Sequence, residues 1–192
     1  MSGSWTGELP INGFTATTAT VEQLLSLAKE QVGIKEDPMG TNGGPKVDLY
    51  NGGRKEAWCA ASLAWLFRQI GAQLPGDKIP SPGPNGWNKM HSVTSVEKYF
   101  RDLNAFFTEP QPGDMIIYNT SGDPDLVNSS KHIGLVSEVN GDIIRTIEFN
   151  WGDQVSKTQQ DVKNGMMIKD DGSIYKSKYS IIGYARRPLP YS

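Results

Sequence analysis

The 192-residue chain places helical patterning in its first half and extended patterning in its second. That order predicts an α+β fold, with N-terminal helices packed on an antiparallel β-sheet. Apolar residues recur at helical spacing in three segments before residue 105. Short apolar runs bounded by turn residues follow Pro110, and one pair is joined by Asn140-Gly141-Asp142, a strong hairpin signal. Hydrophobic residues make up 37% of the chain, enough to bury a core.

The elements follow in order. Thr20 is a candidate N-cap, with Gln23 completing a capping box. Val21, Leu24, Leu25, Ala28 and Val32 continue at helical spacing, and Gly33 stops the helix. Residues 36–53 form a long loop with five glycines and two prolines; loops of this length in compact domains are functional or mobile as a rule. A second helix lies within Glu56–Gly71, with Cys59, Leu63, Phe67 and Ile70 on one face and Gly71 at its end. Residues 75–90 are a second Pro/Gly loop containing Trp87. A third helix is expected after Thr94, with Glu97 completing a capping box and Val96, Tyr99, Phe100 and Leu103 on its apolar face. Gln111-Pro112-Gly113-Asp114 reads as a turn. Strands are expected at Met115–Tyr118, His132–Glu138, Ile143–Glu148, Met166–Lys169 and Ile181–Arg186. Residues 1–19 read as a flexible tail or linker, 20–188 as one domain, and 189–192 as a tail.

Composition removes several function classes. The net charge of −2 provides no electrostatic footprint for nucleic acid or an anionic membrane. No apolar run approaches the ~18 residues of a membrane-inserting helix. The opening MSGSWTGELPING has neither a positive nor an apolar region of a signal peptide. One cysteine excludes an intramolecular disulfide and a multi-thiolate zinc site. Asp123 with Asp125, and Asp170 with Asp171, lack the spacing of a calcium loop. No phosphate-binding glycine motif occurs. No metal or cofactor is therefore assigned.

Cys59 and the two histidines narrow the chemistry. Cys59 falls in the first turn of its predicted helix, where free backbone N–H groups and the helix dipole stabilise a thiolate. The same groups suit an oxyanion in acyl transfer. Burial as a small core residue is the plain alternative. His132 opens the apolar strand HIGLV and can serve as a base for the thiol. Glu148 or Asn150, on the next hairpin strand, can orient the imidazole. His91, in the polar segment WNKMHSV, is the competing base and reads as a surface residue. Trp58, Trp87 and Trp151 are candidate substrate-stacking residues, with core packing as the alternative.

The ordered segments AWCAASLAWLF, PQPGDMIIY, KHIGLVSEVNGDII, TIEFNWGD and IIGYARRP, with the loop DPMGTNGGPKVDLY, resemble the cysteine, histidine-dependent amidohydrolase/peptidase (CHAP) domain, a papain-like fold. The likeness covers about residues 20–188. It implies hydrolysis of an amide in peptidoglycan: in the stem peptide, the cross-bridge or the link to muramic acid. It matches Cys59 to the nucleophile, His132 to the base, Glu148 to the residue orienting the histidine, and Asn150 to a further polar group. Some members carry an acidic calcium cluster before the cysteine; here the stretch is NGGRKEAWC, and Arg54 and Lys55 argue against calcium dependence. No separate wall-binding module fits in the chain. The loop Glu36–Tyr50 is closer to phage-type members. With no leader visible, either a leader has been removed from this sequence or delivery uses another route; the likeness then implies synthesis in the cytoplasm and delivery to the wall or periplasm by a holin, a virion or a secretion system, as for a phage endolysin. A cognate inhibitor or a delivery protein would be the further partner. Two other readings keep the same residues: a papain-like amidase acting on non-wall amides or proteins, and a non-catalytic wall-binding or virion module.

Overall fold

The computed structural model describes residues 13–78, 88–121, 130–162, 166–169, 171–175 and 179–190. Among these, the helices are α1 (Val21–Glu30), α2 (Val47–Asn51), α3 (Cys59–Gln69) and α4 (Val93–Asp102), with a 3-10 turn at Lys89–His91. The strands are β1 (Phe106–Phe107), β2 (Met115–Asn119), β3 (Lys131–Asn140), β4 (Ile143–Glu148), β5 (Ser156–Asp161), β6 (Met166–Lys169), β7 (Ile174–Tyr175) and β8 (Ser180–Ala185). They form one sheet in the order β1-β8-β2-β3-β4-β5-β6-β7, with every neighbouring pair antiparallel. This is the α+β arrangement that the order of patterns predicts.

Period-2 burial divides the sheet into two faces. Met115, Ile117, Ile133, Leu135 and Ile147 join the helices in the main core, with Leu63, Leu66 and Phe67 of α3 fully buried against them. Each such side chain contributes roughly 1.5–3 kcal/mol by leaving water. Ile116, Tyr118, Val136, Ile144 and Tyr184 form a second cluster, with Trp151 and Tyr179 packed on it.

The Thr20 capping box forms as expected: the Thr20 hydroxyl accepts from Gln23 N–H, and the Gln23 side chain accepts from Thr20 N–H. Several expectations need correction. The third helix starts earlier than Thr94: Ser92 is the N-cap, accepting from Ser95 N–H. Glu97 is instead paired with Arg101 and Lys131. The loop 36–53 contains the short helix α2, which its glycine-rich pattern hid, and it is anchored by Tyr50 and Glu36, both buried. Strands β1, β5 and β7 were not predicted. β5, SKTQQD, has no apolar alternation; its buried positions are the polar Thr158 and Gln160. The described part of the N-terminal segment, residues 13–19, is packed: Phe14 is buried against Phe100, and Thr15 accepts from Arg187. At the other end, Pro190 accepts from Val21 N–H. Residues 1–12, Trp87, Asp123, Asp125 and Asp170 lie outside the described residues. No described helix is long and apolar enough to cross a membrane.

Candidate active site

The residues before α3 set the position of Cys59. The Trp58 indole N–H donates to Glu36 Oε1 at 2.8 Å, and Asn42 N–H donates to Glu36 Oε2 at 2.9 Å. Tyr50 stacks on Trp58 with ring centroids 5.8 Å apart. A carboxylate in the long loop thus ties that loop to the residue preceding the thiol. Trp58 is 0% exposed, so its ring is a core element with no surface on which a sugar or peptide can stack. This corrects its reading as a substrate-stacking residue.

Cys59 is the first residue of α3 and is buried. Ser62 N–H is bonded to the Trp58 carbonyl at 2.9 Å, which opens the helical ladder. The N–H groups of the preceding first-turn residues, Cys59 among them, have no carbonyl one turn back to accept them. α3 is buried nearly all round, not on one face, because α1, α2 and the 3-10 turn pack on the sides away from β3.

His132 lies on β3 directly opposite Tyr118 on β2. Glu148 lies on β4 opposite Gly134, two residues along from His132. The carboxylate reaches the imidazole on the diagonal, with His132 Nε2 2.8 Å from Glu148 Oε2. Gly134 makes this path possible. A Cβ there would collide with the Glu148 carboxylate. The Nε2 contact with Glu148 leaves Nδ1 for a second partner, and Cys59 of α3 lies close enough to act on the charge of the ring. Tyr118 stacks on the imidazole at 5.9 Å between centroids, and Trp151 lies at 5.4 Å.

These neighbours set the charge of His132. Burial pushes its pKa down, but the hydrogen bonds and negative charges of Cys59 and Glu148 outweigh burial and raise it, to about 10. A ring held cationic in this way is a proton donor poised beside a sulfur and a carboxylate.

Glu148 is itself surrounded by donors. Its Oε1 accepts from Tyr118 Oη at 2.8 Å and from Thr146 Oγ1 at 2.7 Å. Neither donor was singled out in the sequence. Tyr118 reads there as one residue of an apolar strand, and the only signal of Thr146 is its period-2 alignment with Glu148.

The other candidates separate. Asn150 follows the end of β4 with φ 61°, so the strand alternation that would align it with Glu148 stops before it. Of the two proposed orienters, Glu148 makes the bond to the imidazole. Trp151 is half-buried beside His132. With Asn150, Ser156, Lys157, Lys169 and Tyr179 it lines a groove of about 560 Å³. His91 is half-buried, less exposed than a surface residue, and both its ring nitrogens are buried without a hydrogen-bond partner among the described residues. Burial, then the charge of Arg68, lowers its pKa. Its charged neighbours are Arg68, Asp77, Glu56 and Arg54. No group of three or more His, Cys, Asp or Glu among the described residues is arranged to hold a metal ion.

Residues 50–150, more than half of the chain, match the family model of the CHAP domain. The chain belongs to the CHAP domain family. The matched span begins at Tyr50, includes Cys59, His132 and Glu148, and ends at Asn150. No curated protein and no solved structure matches the chain. CHAP domains are hydrolases of the amidase and peptidase class, with peptidoglycan as the substrate.

Proposed function

We propose that this CHAP domain is a cysteine amidase or endopeptidase that cuts an amide of peptidoglycan with Cys59 as nucleophile, His132 as base and Glu148 as the group orienting His132. The observation that carries the reading is the imidazole bonded to Glu148 at 2.8 Å, with Cys59 at the start of α3 near enough to act on its charge.

The family resemblance and the Glu148–His132 contact support these roles. With Nε2–H donated to Glu148, Nδ1 takes the thiol proton, and the thiolate sulfur attacks the amide carbonyl carbon. The oxyanion that forms lies at the N-terminus of α3, where unused N–H groups lower its energy. The imidazolium Nδ1–H then protonates the departing amine, and the C–N bond breaks to leave a thioester. Water loses a proton to Nδ1 and attacks the thioester; the carboxylic acid departs and the thiol is regenerated. General acid–base transfer of this kind contributes on the order of 10²–10⁴-fold. Trp151, whose ring lies 5.4 Å from that of His132, and Asn150 are the substrate-facing residues of this reading; they line a groove that does not itself include Cys59 or His132.

A digest of purified sacculi by wild type, Cys59→Ala and His132→Ala, with products identified by mass spectrometry, tests the proposal. Fragments are expected from wild type, none from Cys59→Ala, and a loss on the order of 10²–10⁴-fold in His132→Ala. Free stem peptide identifies an amidase; a cut within the stem or cross-bridge identifies an endopeptidase. Release by Cys59→Ala at the wild-type rate, or no release by wild type from walls of several chemotypes, overturns it.

A further inference from the structure

We propose that Tyr118 and a one-way chain of hydrogen-bond donors, Gln160 to Thr158 to Thr146, hold Glu148 as a carboxylate aimed at His132, and so set how far into acid the thiolate–imidazolium pair survives. The inference rests on the reading of Glu148 as the orienting group. It adds four positioning residues, none of which touches the thiol.

Counting protons fixes the direction of the chain. A threonine hydroxyl has one proton to donate. That of Thr146 goes to Glu148 Oε1, at 2.7 Å. In the 2.6 Å contact between Thr146 Oγ1 and Thr158 Oγ1, Thr158 must therefore be the donor. Its proton is then used, and its oxygen accepts from the Gln160 amide at 3.2 Å. Tyr118 adds a second proton to Oε1 at 2.8 Å, while His132 occupies Oε2. Every donor points toward the carboxylate. A proton on Oε1 would face two hydroxyls already directed at it, and either Tyr118 or the threonine chain would have to reverse.

The strands build this alignment. Thr146 and Thr158 are register partners on β4 and β5, and Glu148 and Gln160 each lie two residues along on the same face. Glu148 is 0% exposed and the four supporting residues at most 6%, so water cannot substitute for a lost donor. Unpaired buried polar groups are costly, and fully donated ones stabilise charge. The titratable groups facing Glu148 are His132 on β3, with Cys59 of α3 beyond it, and Tyr118 on β2, with Tyr184 of β8 nearby. On β5 its register partner is the uncharged Ser156; Lys157 is paired with Ile147 and points to the other face. Lys131 is engaged by Glu97. Burial and the charge of Glu148 both keep Tyr118 a phenol, hence a donor.

The test is the pH dependence of Cys59 alkylation by iodoacetamide, which reads the thiolate in the intact chain without any wall substrate. Wild type, Thr158→Val, Thr158→Ser and Tyr118→Phe are compared, with folding checked by circular dichroism. Removing a donor makes the buried charge costlier, so the pair collapses sooner on acidification. Thr158→Val and Tyr118→Phe are expected to move the acid-side midpoint upward by about 0.5–1 pH unit, a loss of roughly threefold to tenfold in rate below it. Thr158→Ser, which keeps the hydroxyl, is expected to restore the wild-type midpoint. If Thr158→Val does not fold, Tyr118→Phe decides. An unshifted midpoint in a folded variant, a Thr158→Ser as impaired as Thr158→Val, or alkylation with no acid limb overturns the proposal. A chain that digests no wall yet shows the shifts loses the lytic reading alone; one that digests walls with unshifted midpoints loses only this inference.

Discussion

Around Cys59 the supporting side chains are mostly apolar: Leu63, Leu66 and Phe67 are fully buried on the same helix, and Trp58 and Tyr50 stack before it. Around His132 they are a carboxylate and three hydroxyls, those of Tyr118, Thr146 and Thr158. The two halves of one site are thus positioned by different forces. Packing is short-ranged and indifferent to pH, so it fixes where the thiol lies. Hydrogen bonds carry direction and depend on charge, so they fix which way the imidazole turns and which protons it holds. Glu36 is the polar link on the helical side, joining the loop to Trp58 by one buried bond.

The comparison is open to direct attack. The largest stability effect is expected from Phe67→Ala, which removes a fully buried ring from the helical half. It should cost about 3–5 kcal/mol by denaturant unfolding, while alkylation of Cys59 in the remaining folded molecules keeps its wild-type pH midpoint. A shifted midpoint would mean that packing also sets charge.

Gly134→Ala attacks the other half. The added methyl meets the Glu148 carboxylate, which is buried and held by its donors and so has little room to give. Overpacking should cost about 1–3 kcal/mol, and the wall-digestion rate of the folded fraction should fall more than in Phe67→Ala. A folded Gly134→Ala with wild-type rates would show that the diagonal path over Gly134 is not needed.

The smallest effect is a pH-dependent one. The folded-state pKa of His132 is raised above its ordinary value of 6.5, to about 10. Its charged form therefore stabilises the fold fully below about 6.5 and progressively less as the pH climbs toward 10. The Tm advantage of wild type over His132→Gln should narrow as the pH rises across that window. A constant difference would remove the charged pair.

Much of this site was legible before any coordinates. As candidates, Cys59 at a helix start, His132 at a strand start and Glu148 or Asn150 on the next hairpin strand are legible from local pattern; only the resemblance to CHAP domains gives them roles. The supporting shell was not legible. Thr158 and Gln160 sit in a strand whose sequence is polar throughout, so period-2 hydrophobicity has nothing to register. Tyr118 lies in the buried run MIIYN, where a hydroxyl is hidden among apolar neighbours. The α2 segment is too short to display a helical repeat, and Thr94 with Glu97 mimics a capping box that does not form, the cap being Ser92.

Sequence alone determined the α+β class, the hairpin between β3 and β4 and the identity of the residues that can react, because periodicity, turn residues and side-chain chemistry are local properties. Tertiary structure decided what those residues face. It buried Trp58, ended the strand alternation before Asn150, turned Nε2 of His132 toward Glu148, and aligned four donors behind that carboxylate. Those outcomes depend on register between strands and on contacts between residues as far apart as Glu36 and Trp58 or Tyr118 and Glu148. Such contacts arise only when burial closes the chain upon itself, and the direction of a hydrogen bond exists only once both partners are in place.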